Sequence, residues 1–395
     1  MKNTLLENQA AWAKMSAGLV NDIKNPSKAK ITRICLENAR KEYLKETAMN
    51  ATTASNIAII NKVMMPLIKR VMPTVMAHEL VGVQPLTAPT GIISTMKFKH
   101  DSKSPRDGSG ILAGQEALSP FLVGPWYSGN ENVANPGAAE TANMEGVQGN
   151  RLSMTIEKTT VEAKTRRLSA TFSIEAFQDA QSQYGISVEQ ELTNALANEI
   201  TVEVDQDILG KLSAIAGMPV DTYDQNKLSG VATSVADEHA NLATLINRYA
   251  NSIAKKIRKS AANWAVVSNV VVSVLQSAGA SLLARTTEGT FEAPTNNKYV
   301  GTLNNQMKVY VNSYAEDDAD ILIGYKGSDE IDACAYYAPY VPVMSTGVIT
   351  DPQTFLNVMG LMTRYGFVAL TNPATSFGNA GDYLAKIAVK NLRFC

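Results

Sequence analysis

The side chains most often used in catalysis and metal binding are scarce in this 395-residue chain. Its histidines, His78, His100 and His239, fall in separate segments, and none has metal-ligand spacing to a cysteine or to another histidine. The cysteines are odd in number and widely spaced, which argues against a disulfide framework or a zinc site: Cys35, Cys334 and Cys395. We therefore expect no catalytic residue, no metal and no cofactor.

Three other groups of residues have types that occur in binding sites. The glycines of Gly108-x-Gly110-x-x-x-Gly114 have the wrong spacing for a nucleotide loop, and no buried strand precedes them, so they indicate a flexible loop. The run from Glu316 to Asp320 lacks the ligand and glycine pattern of a calcium loop and is interpreted as a solvated acidic turn. Arg166 and Arg167 precede a predicted strand, which favours an intersubunit or structural salt bridge over phosphate binding. The sequence contains no convergent polar site, and we expect no enzyme.

Composition indicates a globular protein, with 45% hydrophobic and 18% charged residues. No stretch approaches the roughly 18 uninterrupted apolar residues of a membrane span. Glu7, Asn8 and Gln9 stand where a signal peptide would have its apolar core, so we expect a protein that stays in the cytoplasm of the cell that makes it. No membrane partner is expected.

Charge divides the chain into a basic leader and an acidic body. Residues 1–46 contain nine Lys or Arg and five Asp or Glu, a balance of +4, and the remainder contains 27 and 32, a balance of −5. A basic leader is typical of a nucleic-acid arm or of a segment that docks on an acidic partner. Both interpretations remain open at this point.

A long amphipathic helix is predicted from Ser187 to Leu212. Ser187 and Gln190 have the spacing of a capping box. Apolar residues then recur at every fourth position: Leu192, Leu196, Ile200, Val204, Ile208 and Leu212. Because a spacing of four exceeds the helical repeat, this stripe winds round the axis, and the two ends must pack on different elements. Acidic residues occupy much of the remaining surface, among them Glu199, Glu203, Asp205 and Asp207.

An extended two-stranded arm is predicted upstream of that helix. Residues Gly91 to His100 alternate, with Phe98 on one face and Lys97 and Lys99 on the other, and Arg151 to Glu157 alternate in the same way. Residues 101–150 between them hold eight of the 25 glycines and include the aromatic residues Phe121, Trp126 and Tyr127. Since an isolated hairpin is marginally stable, something else must cover its apolar face, and we expect another copy of the chain to do so.

The rest of the chain reads as helices at the N-terminus and an inserted α/β module. Two helices are predicted before residue 46, divided at Asn25-Pro26, and a polar linker is predicted at residues 47–56. Downstream, a helix from Ala240 to Lys259 and a buried strand from Trp264 precede a short helix capped by Asn269. Strand patterns on both sides of the module indicate that it is inserted into a larger framework.

A series of segments resembles the major capsid protein of T-even-like, contractile-tailed bacteriophages. The series keeps its order along the chain: Gly82-Val-Gln-Pro-Leu-Thr-Ala-Pro-Thr-Gly91, Leu168 to Glu175, Gln178-Asp179, Tyr184-Gly185, Glu189 to Leu192, Glu199-Ile200, Gly324 to Gly327, Asp332-Ala333, Tyr336 to Tyr340, Thr363 to Gly366, Asn372-Pro373 and Val389-Lys390. No single match is decisive, but the ordered series is specific.

The resemblance implies an α+β fold of the Hong Kong type, also called the Johnson fold. The expected parts are an N-arm at 47–90, an E-loop at 91–157, a peripheral domain with a spine helix at 158–215 and 355–395, and an axial domain at 216–354. It further implies a structural protein that self-assembles into hexamers of the icosahedral head enclosing the DNA genome. A pentamer-forming vertex paralogue of the same fold is the alternative.

The resemblance also implies partners and a processing step. Expected partners are further copies of the chain, a scaffold, a prohead protease, vertex and portal proteins and, as a weaker expectation, decoration proteins, without sequence-specific nucleic-acid binding. Capsid proteins of this kind are commonly cut after Leu or Ile, any residue, then Glu. Leu44-Lys45-Glu46 fits this pattern at the charge boundary, as does Leu5-Leu6-Glu7, so residues 1–46 are a candidate propeptide. The candidate intersubunit contacts are Lys97, Phe98, Lys99, Trp126, Tyr127, Arg166, Arg167, Glu199 and Glu203.

Overall fold

The computed structural model describes most of the chain. The described residues are 9–21, 23, 26–49, 75–101, 113–114, 117, 141–145, 149–185, 187–228, 235–257, 260–278, 283–285, 298–304, 306–316, 319–328, 332–351, 353–354, 356–371 and 379–392.

The N-terminal half is mainly helices and one long hairpin. Helices α1 (Gln9–Val20) and α2 (Pro26–Met49) are followed by α3 (Ala77–Leu80), β1 (Gly82–Val83), β2 (Thr90–His100) and α4 (Thr141–Met144). The chain continues through β3 (Leu152–Glu162), β4 (Lys164–Ser173), α5 (Ile174–Tyr184) and α6 (Val188–Ala216). Pro26 opens α2, where its missing N–H costs nothing. The helix extends to Met49, three residues into the predicted linker.

The C-terminal half is richer in strands. Its elements are β5 (Asp221–Asp224), α7 (Gln225–Leu228), α8 (Val235–Ile257), β6 (Trp264–Val267), α9 (Asn269–Ser277), β7 (Leu283–Arg285), β8 (Lys298–Leu303), β9 (Met307–Val311) and β10 (Ile321–Gly324), then β11 (Ala335–Thr350), β12 (Leu356–Ala369), a 3₁₀ turn (Ala380–Tyr383) and β13 (Leu384–Lys390). The α+β class is confirmed. Ser268, not the predicted Asn269, caps α9, because its side chain accepts a hydrogen bond from the Val271 amide.

Three sheets organise these strands, and their membership differs from the predicted boundaries. The four-stranded sheet has the order β1-β11-β12-β4, the seven-stranded sheet β5-β13-β10-β6-β9-β8-β7, and β2 pairs with β3 alone. Strand β11 was expected within the axial module but pairs with β12. Strand β13 was expected with the peripheral domain but pairs with β5 and β10. A cut at residue 354 therefore does not separate the two larger sheets.

The predicted spine helix is confirmed as α6, which has 29 residues and ends before Gly217 at φ +73°. The residues of its apolar stripe from Leu196 to Leu212 are buried. Near its start the Thr193 hydroxyl lies 3.3 Å from the Met359 sulfur of β12. Further on, the side-chain amides of Gln206 and Asn312 bond to each other at 2.8 and 3.2 Å, and Asn312 directly follows β9. The winding stripe thus packs on two different sheets, as expected.

Two details of the spine prediction were wrong. Ser187 is the N-cap residue, but its side chain makes no capping hydrogen bond, and its backbone carbonyl instead accepts from Gln190 and Glu191. Asp205 was placed among the solvent-facing acids, yet it is 0% exposed. Its carboxylate accepts a hydrogen bond of 2.9 Å from the Met76 amide, which ties the segment before α3 to the helix.

Candidate assembly interfaces

The β2–β3 hairpin carries an uncovered apolar face. Direct cross-strand pairing places Phe98 opposite Met154, and Met96 opposite Ile156, so these positions share one face. The exposed fractions are high for large apolar side chains: Ile92 56%, Phe98 38%, Leu152 53%, Met154 59% and Ile156 56%. The alternation predicted from the sequence is confirmed, and both strands run 11 residues. Single exposed apolar residues are ordinary, but a contiguous row marks an interaction surface.

The base of the hairpin is anchored in the core, unlike its outer part. Ile93 and Val161 are each 3% exposed and belong to the main hydrophobic cluster. Further out, the outer edge of β2 is also engaged, because the amides of Gly114 and Ala117 donate to the carbonyls of His100 and Phe98 at 2.7 and 2.6 Å. The hairpin is therefore held rigidly at its root while its apolar face remains open.

Of the other predicted contact residues of the arm, the structure describes two and leaves two undescribed. Lys99 is half-buried and pairs with Ser153 through the backbone, and Lys97 pairs with Thr155. Trp126 and Tyr127 lie outside the described residues. Their role as intersubunit contacts stays a prediction.

Arg166 belongs to an ion-pair network between β4 and the spine. Its guanidinium pairs with Glu203 and, at 2.9 Å, with Asp207, and it lies 5.4 Å from the centroid of the Tyr365 ring. Asp207 also accepts from Lys211 at 2.5 Å and from the Tyr365 hydroxyl at 2.8 Å. Burial raises the pKa of Asp207, but these hydrogen bonds and the neighbouring cations outweigh it, and the pKa lies below its ordinary value. Within one chain, the network clamps the spine to its sheet.

Arg167 and Glu199 are both exposed, and neither takes part in that ion-pair network. Arg167 follows Arg166 in β4, so its side chain points to the opposite face of the strand. Glu199 lies one helical turn before Glu203 and forms no ion pair with a described residue. The adjacent arginines, which the sequence presents as one basic pair, thus serve different surfaces.

The basic leader is folded against the body of the chain. Trp12 of α1 donates through Nε1 to Glu37 of α2 at 3.0 Å, and Arg40 pairs with the same carboxylate at 3.2 Å while lying 5.8 Å from the Trp12 ring centroid. Ile31, Cys35, Leu36 and other α2 side chains join the main hydrophobic cluster, which makes the leader part of the core. Leu44, Lys45 and Glu46 lie in the last turns of α2, so cutting there requires local opening of the helix.

The candidate chemical groups are separated and inactive. Among the described residues, no three His, Cys, Asp or Glu side chains come together as a metal site. Burial raises the pKa of Cys35 and of Cys334 to about 12, so both thiols stay protonated and unreactive. His239 contacts the Ser277 hydroxyl, and burial lowers the pKa of His100. Asp320, in the run predicted to be a solvated acidic turn, is instead partly buried and pairs with Lys386 at 2.9 Å.

A polar cavity of about 430 Å³ lies where the leader, α3 and the seven-stranded sheet meet. Its walls include Ser27, Glu79, Trp264, Lys308 and Lys326. Burial raises the pKa of Glu79, but the hydrogen bond and charge of Lys28 and the charge of Lys308 bring it down to about 2. A carboxylate with so low a pKa is a poor general base near neutral pH. Glu79 therefore serves as a structural acid that links Lys28 of the leader to Lys308 of the seven-stranded sheet.

Sequence reasoning missed three residues that connect the parts of the molecule: Asn38, Glu79 and Asp205. Asn38 did leave a signal, since a polar residue stands within the apolar positions Cys35, Leu36 and Ala39 of one helix. Glu79 and Asp205 left none, because their partners are distant in sequence: Lys28 and Lys308 for Glu79, and Met76 for Asp205.

Among the described helices, none is both long and apolar enough to cross a membrane.

Comparison with known families finds one match over most of the chain. The family Gp23, described as major capsid protein Gp23, matches residues 57–391. Curated relatives named major capsid protein include that of Vibrio phage KVP40, 26% identical with 90% of this chain and 86% of the relative covered. The major capsid protein of Enterobacteria phage T4 is 26% identical, with 80% and 76% covered.

Two of the solved structures similar to this chain come from phage capsids. One, described as the capsid of Myoviridae phage XM1, has a TM-score of 0.46 at 10% identity and covers 79% of this chain and 89% of its own. Another, from the mature capsid of bacteriophage PhiM1, has a TM-score of 0.43 at 11% identity and covers 80% and 86%.

Proposed function

The chain belongs to the Gp23 major capsid protein family, and from this premise we propose that its copies join head to tail through the β2–β3 hairpin into the hexamers of a phage head. It is a structural protein of the virion and not an enzyme, and capsid proteins build lattices from copies of themselves. The observation that supports the hairpin as the joint is its exposed apolar face, anchored at the root and uncovered beyond it. Contacts between two different surfaces of one chain close into rings when the rotation between copies allows it.

The apolar face suits a neighbouring copy better than a soluble ligand. Its residues form a row of exposed side chains on two paired strands, and burial of such a row on a second protein surface gains about 25 cal/mol per Å². The family name supports the hexamer-forming role over the pentamer-forming vertex alternative. The scaffold, prohead protease, vertex, portal and decoration proteins remain expected partners, and the host bacterial cytoplasm the expected place of synthesis.

A charge in the apolar row tests the hairpin directly. Met154→Lys should leave the fold of the isolated chain unchanged, because the side chain is already in water, but should abolish shell formation because a buried, unpaired ammonium is costly. Thr155→Lys, one position along on the opposite face, is the matched control and should assemble. Shell formation by the two variants would be followed by electron microscopy and sedimentation. The conditions, scaffold included, would be those in which the unaltered chain forms shells. Normal shells from Met154→Lys would overturn the proposal.

We also propose that residues 1–46 are removed after Glu46 during assembly. The Leu44-Lys45-Glu46 pattern supports this, and the leader lies outside the family match, which begins at residue 57. Intact mass of the protein from mature heads tests it. A chain that still carries residues 1–46 in those heads would contradict processing without affecting the hairpin proposal.

A further inference from the structure

The leader is attached to the body by a packed surface as well as by the chain itself. Ile31, Cys35, Leu36 and Ala39 of α2 are each at most 4% exposed. They belong to the same hydrophobic cluster as Tyr337, Tyr340 and Val341 of β11, on which α2 lies. These side chains are kept from water only while the helix is docked. Release would expose their apolar surface to water, so the packing itself opposes release.

Asn38 fixes α2 at the base of the hairpin. It is 3% exposed, and its side-chain amide donates to the Leu86 carbonyl at 2.6 Å and to the Tyr340 carbonyl at 3.0 Å. Beyond β1, the edge pairing with β11 continues through the Gln84 and Leu86 amides, and it ends where the β11–β12 register shifts between Pro339 and Val341. Asn38 supplies both amide hydrogens at that point. Without it, two buried carbonyls would lose this donor.

Lys28 fixes the other end of α2 to a second part of the molecule. Its ammonium lies 2.6 Å from Glu79 of α3. The same carboxylate lies 3.4 Å from the Lys308 ammonium and 3.5 Å from the Tyr310 hydroxyl, both on β9 of the seven-stranded sheet. The leader, the segment that leads into the hairpin and the seven-stranded sheet therefore meet at one acid.

We propose that the leader is a non-covalent brace: it stays bound after the chain is cut behind it, and it holds the hairpin base and the seven-stranded sheet in one arrangement. Scission and release are then separate events. The inference rests on the proposed removal of residues 1–46 for its biological role. Its physical content concerns only the docked helix. Cutting lowers the local concentration of the leader from the roughly millimolar range of a short tether to that of the free fragment, so retention depends on the packed surface.

An engineered cut shows whether the leader stays bound to the body after scission or is released. A recognition sequence for a site-specific protease replaces residues 50–56, the purified full-length chain is cut, and the products are separated by size exclusion at micromolar concentration. We expect the fragment that contains residues 1–49 to elute with the body. A fragment that elutes alone from the otherwise unaltered chain would overturn the brace. Because the cut is engineered, this result is independent of whether heads contain processed protein.

Variants identify the contacts that hold the fragment. Lys28→Ala/Asn38→Ala should raise the Kd of the fragment roughly 100-fold, since it removes a charge pair and the donor to two buried carbonyls. Lys30→Ala/Arg33→Ala, at exposed positions of the same helix, is the matched control and should leave the fragment bound. Equal retention by both double variants would contradict the assigned contacts.

Hydrogen exchange tests the bracing role before any cut. In Lys28→Ala/Asn38→Ala, the amides of Gln84, Leu86 and residues 308–310 should exchange at least about 10-fold faster than in the control pair, while those of α8 should not change. Uniform protection in both variants would overturn the brace. Where the double variant does not fold, Lys28→Ala alone, at a partly exposed site, should still loosen the cut fragment several-fold, and unchanged binding would count equally against the proposal.

Discussion

The β2–β3 hairpin and the β4–β12–β11 part of the spine-covered sheet are both antiparallel, with alternating apolar side chains, yet the apolar face of one is exposed and that of the other is buried. Met359 and Leu361 of β12 are each 1% exposed beneath α6. Met154 and Ile156 of the hairpin, on a strand that runs on through Ala163 into the partner of β12, are 59% and 56% exposed. A helix of the same chain covers the apolar face of the sheet, whereas the apolar face of the hairpin stays exposed.

The difference indicates where folding stops and assembly begins. An uncovered row of this kind is a liability in a protein that remains alone, because it invites association. Under the function proposed for this chain, it is the part of the core that a second copy completes. The folded chain thus buries its apolar side chains at the spine and leaves those of the hairpin exposed.

The largest expected effect on stability comes from a core position of the spine. Leu212 is 0% exposed, and Leu212→Ala should lower the free energy of unfolding by about 3–5 kcal/mol through lost burial and a residual cavity. Met154→Ala is the counterpart in the hairpin and should cost the isolated chain less than about 0.5 kcal/mol. Denaturant unfolding of unassembled protein measures both. Similar losses at the two sites would mean that the hairpin face is covered within the chain.

A somewhat smaller effect is expected at Asp205. Asp205→Ala removes the acceptor of the Met76 amide in a buried site and should cost about 2–3 kcal/mol. Glu199→Ala, on an exposed turn of the same helix, is the control and should change the free energy of unfolding by less than about 0.5 kcal/mol. Equal stability of the two variants would show that the Asp205 contact contributes nothing.

Charge reversal on the spine should divide folding from assembly. Glu203→Lys breaks the bridge to Arg166 and places two cations together, so we expect a loss of about 1 kcal/mol, limited by solvent exposure. Glu199→Lys should leave thermal unfolding nearly unchanged. If this acidic face contacts another subunit, both reversals should reduce shell yield in electron micrographs, and Glu199→Lys should do so without destabilising the chain. Normal shells from Glu199→Lys would remove Glu199 from the candidate contacts.

The smallest effect is a pH dependence at the leader. The pKa of Glu79 is about 2 in the folded chain against an ordinary 4.5, so its pairing stabilises fully above about pH 5 and is lost as the pH falls from 4.5 toward 2. Thermal unfolding followed over that range should show a steeper decline for the unaltered chain than for Glu79→Gln. The difference should be modest because the Glu79 side chain is a third exposed. Parallel pH profiles of thermal unfolding for the two proteins would exclude Glu79 as the source of the pH dependence.

Much of the fold was predictable wherever local periodicity was strong. The spine stripe, the pairing faces of the hairpin and the helix near Ala240 follow from side-chain spacing of 3.6 or 2 residues, which is a property of the local chain. Sheet membership was not predictable in this way. Strands β11 and β13 both read as buried apolar runs, and each has one neighbouring strand more than 100 residues away, as the pairs Gly82–Tyr336 and Asp221–Ile387 show.

The candidate contacts divide along the same line. Sequence alone determined that the chain is an α+β capsid-family protein with a winding spine, a half-apolar hairpin and a basic leader, because ordered motifs and periodicity are written in consecutive residues. Only the tertiary structure decided that Arg166 pairs with acids of the spine, that Asp205 is buried, and that Lys28 and Asn38 hold the leader to the body. Those outcomes depend on which distant groups compensate a buried charge or carbonyl, and no local pattern encodes the distance between them.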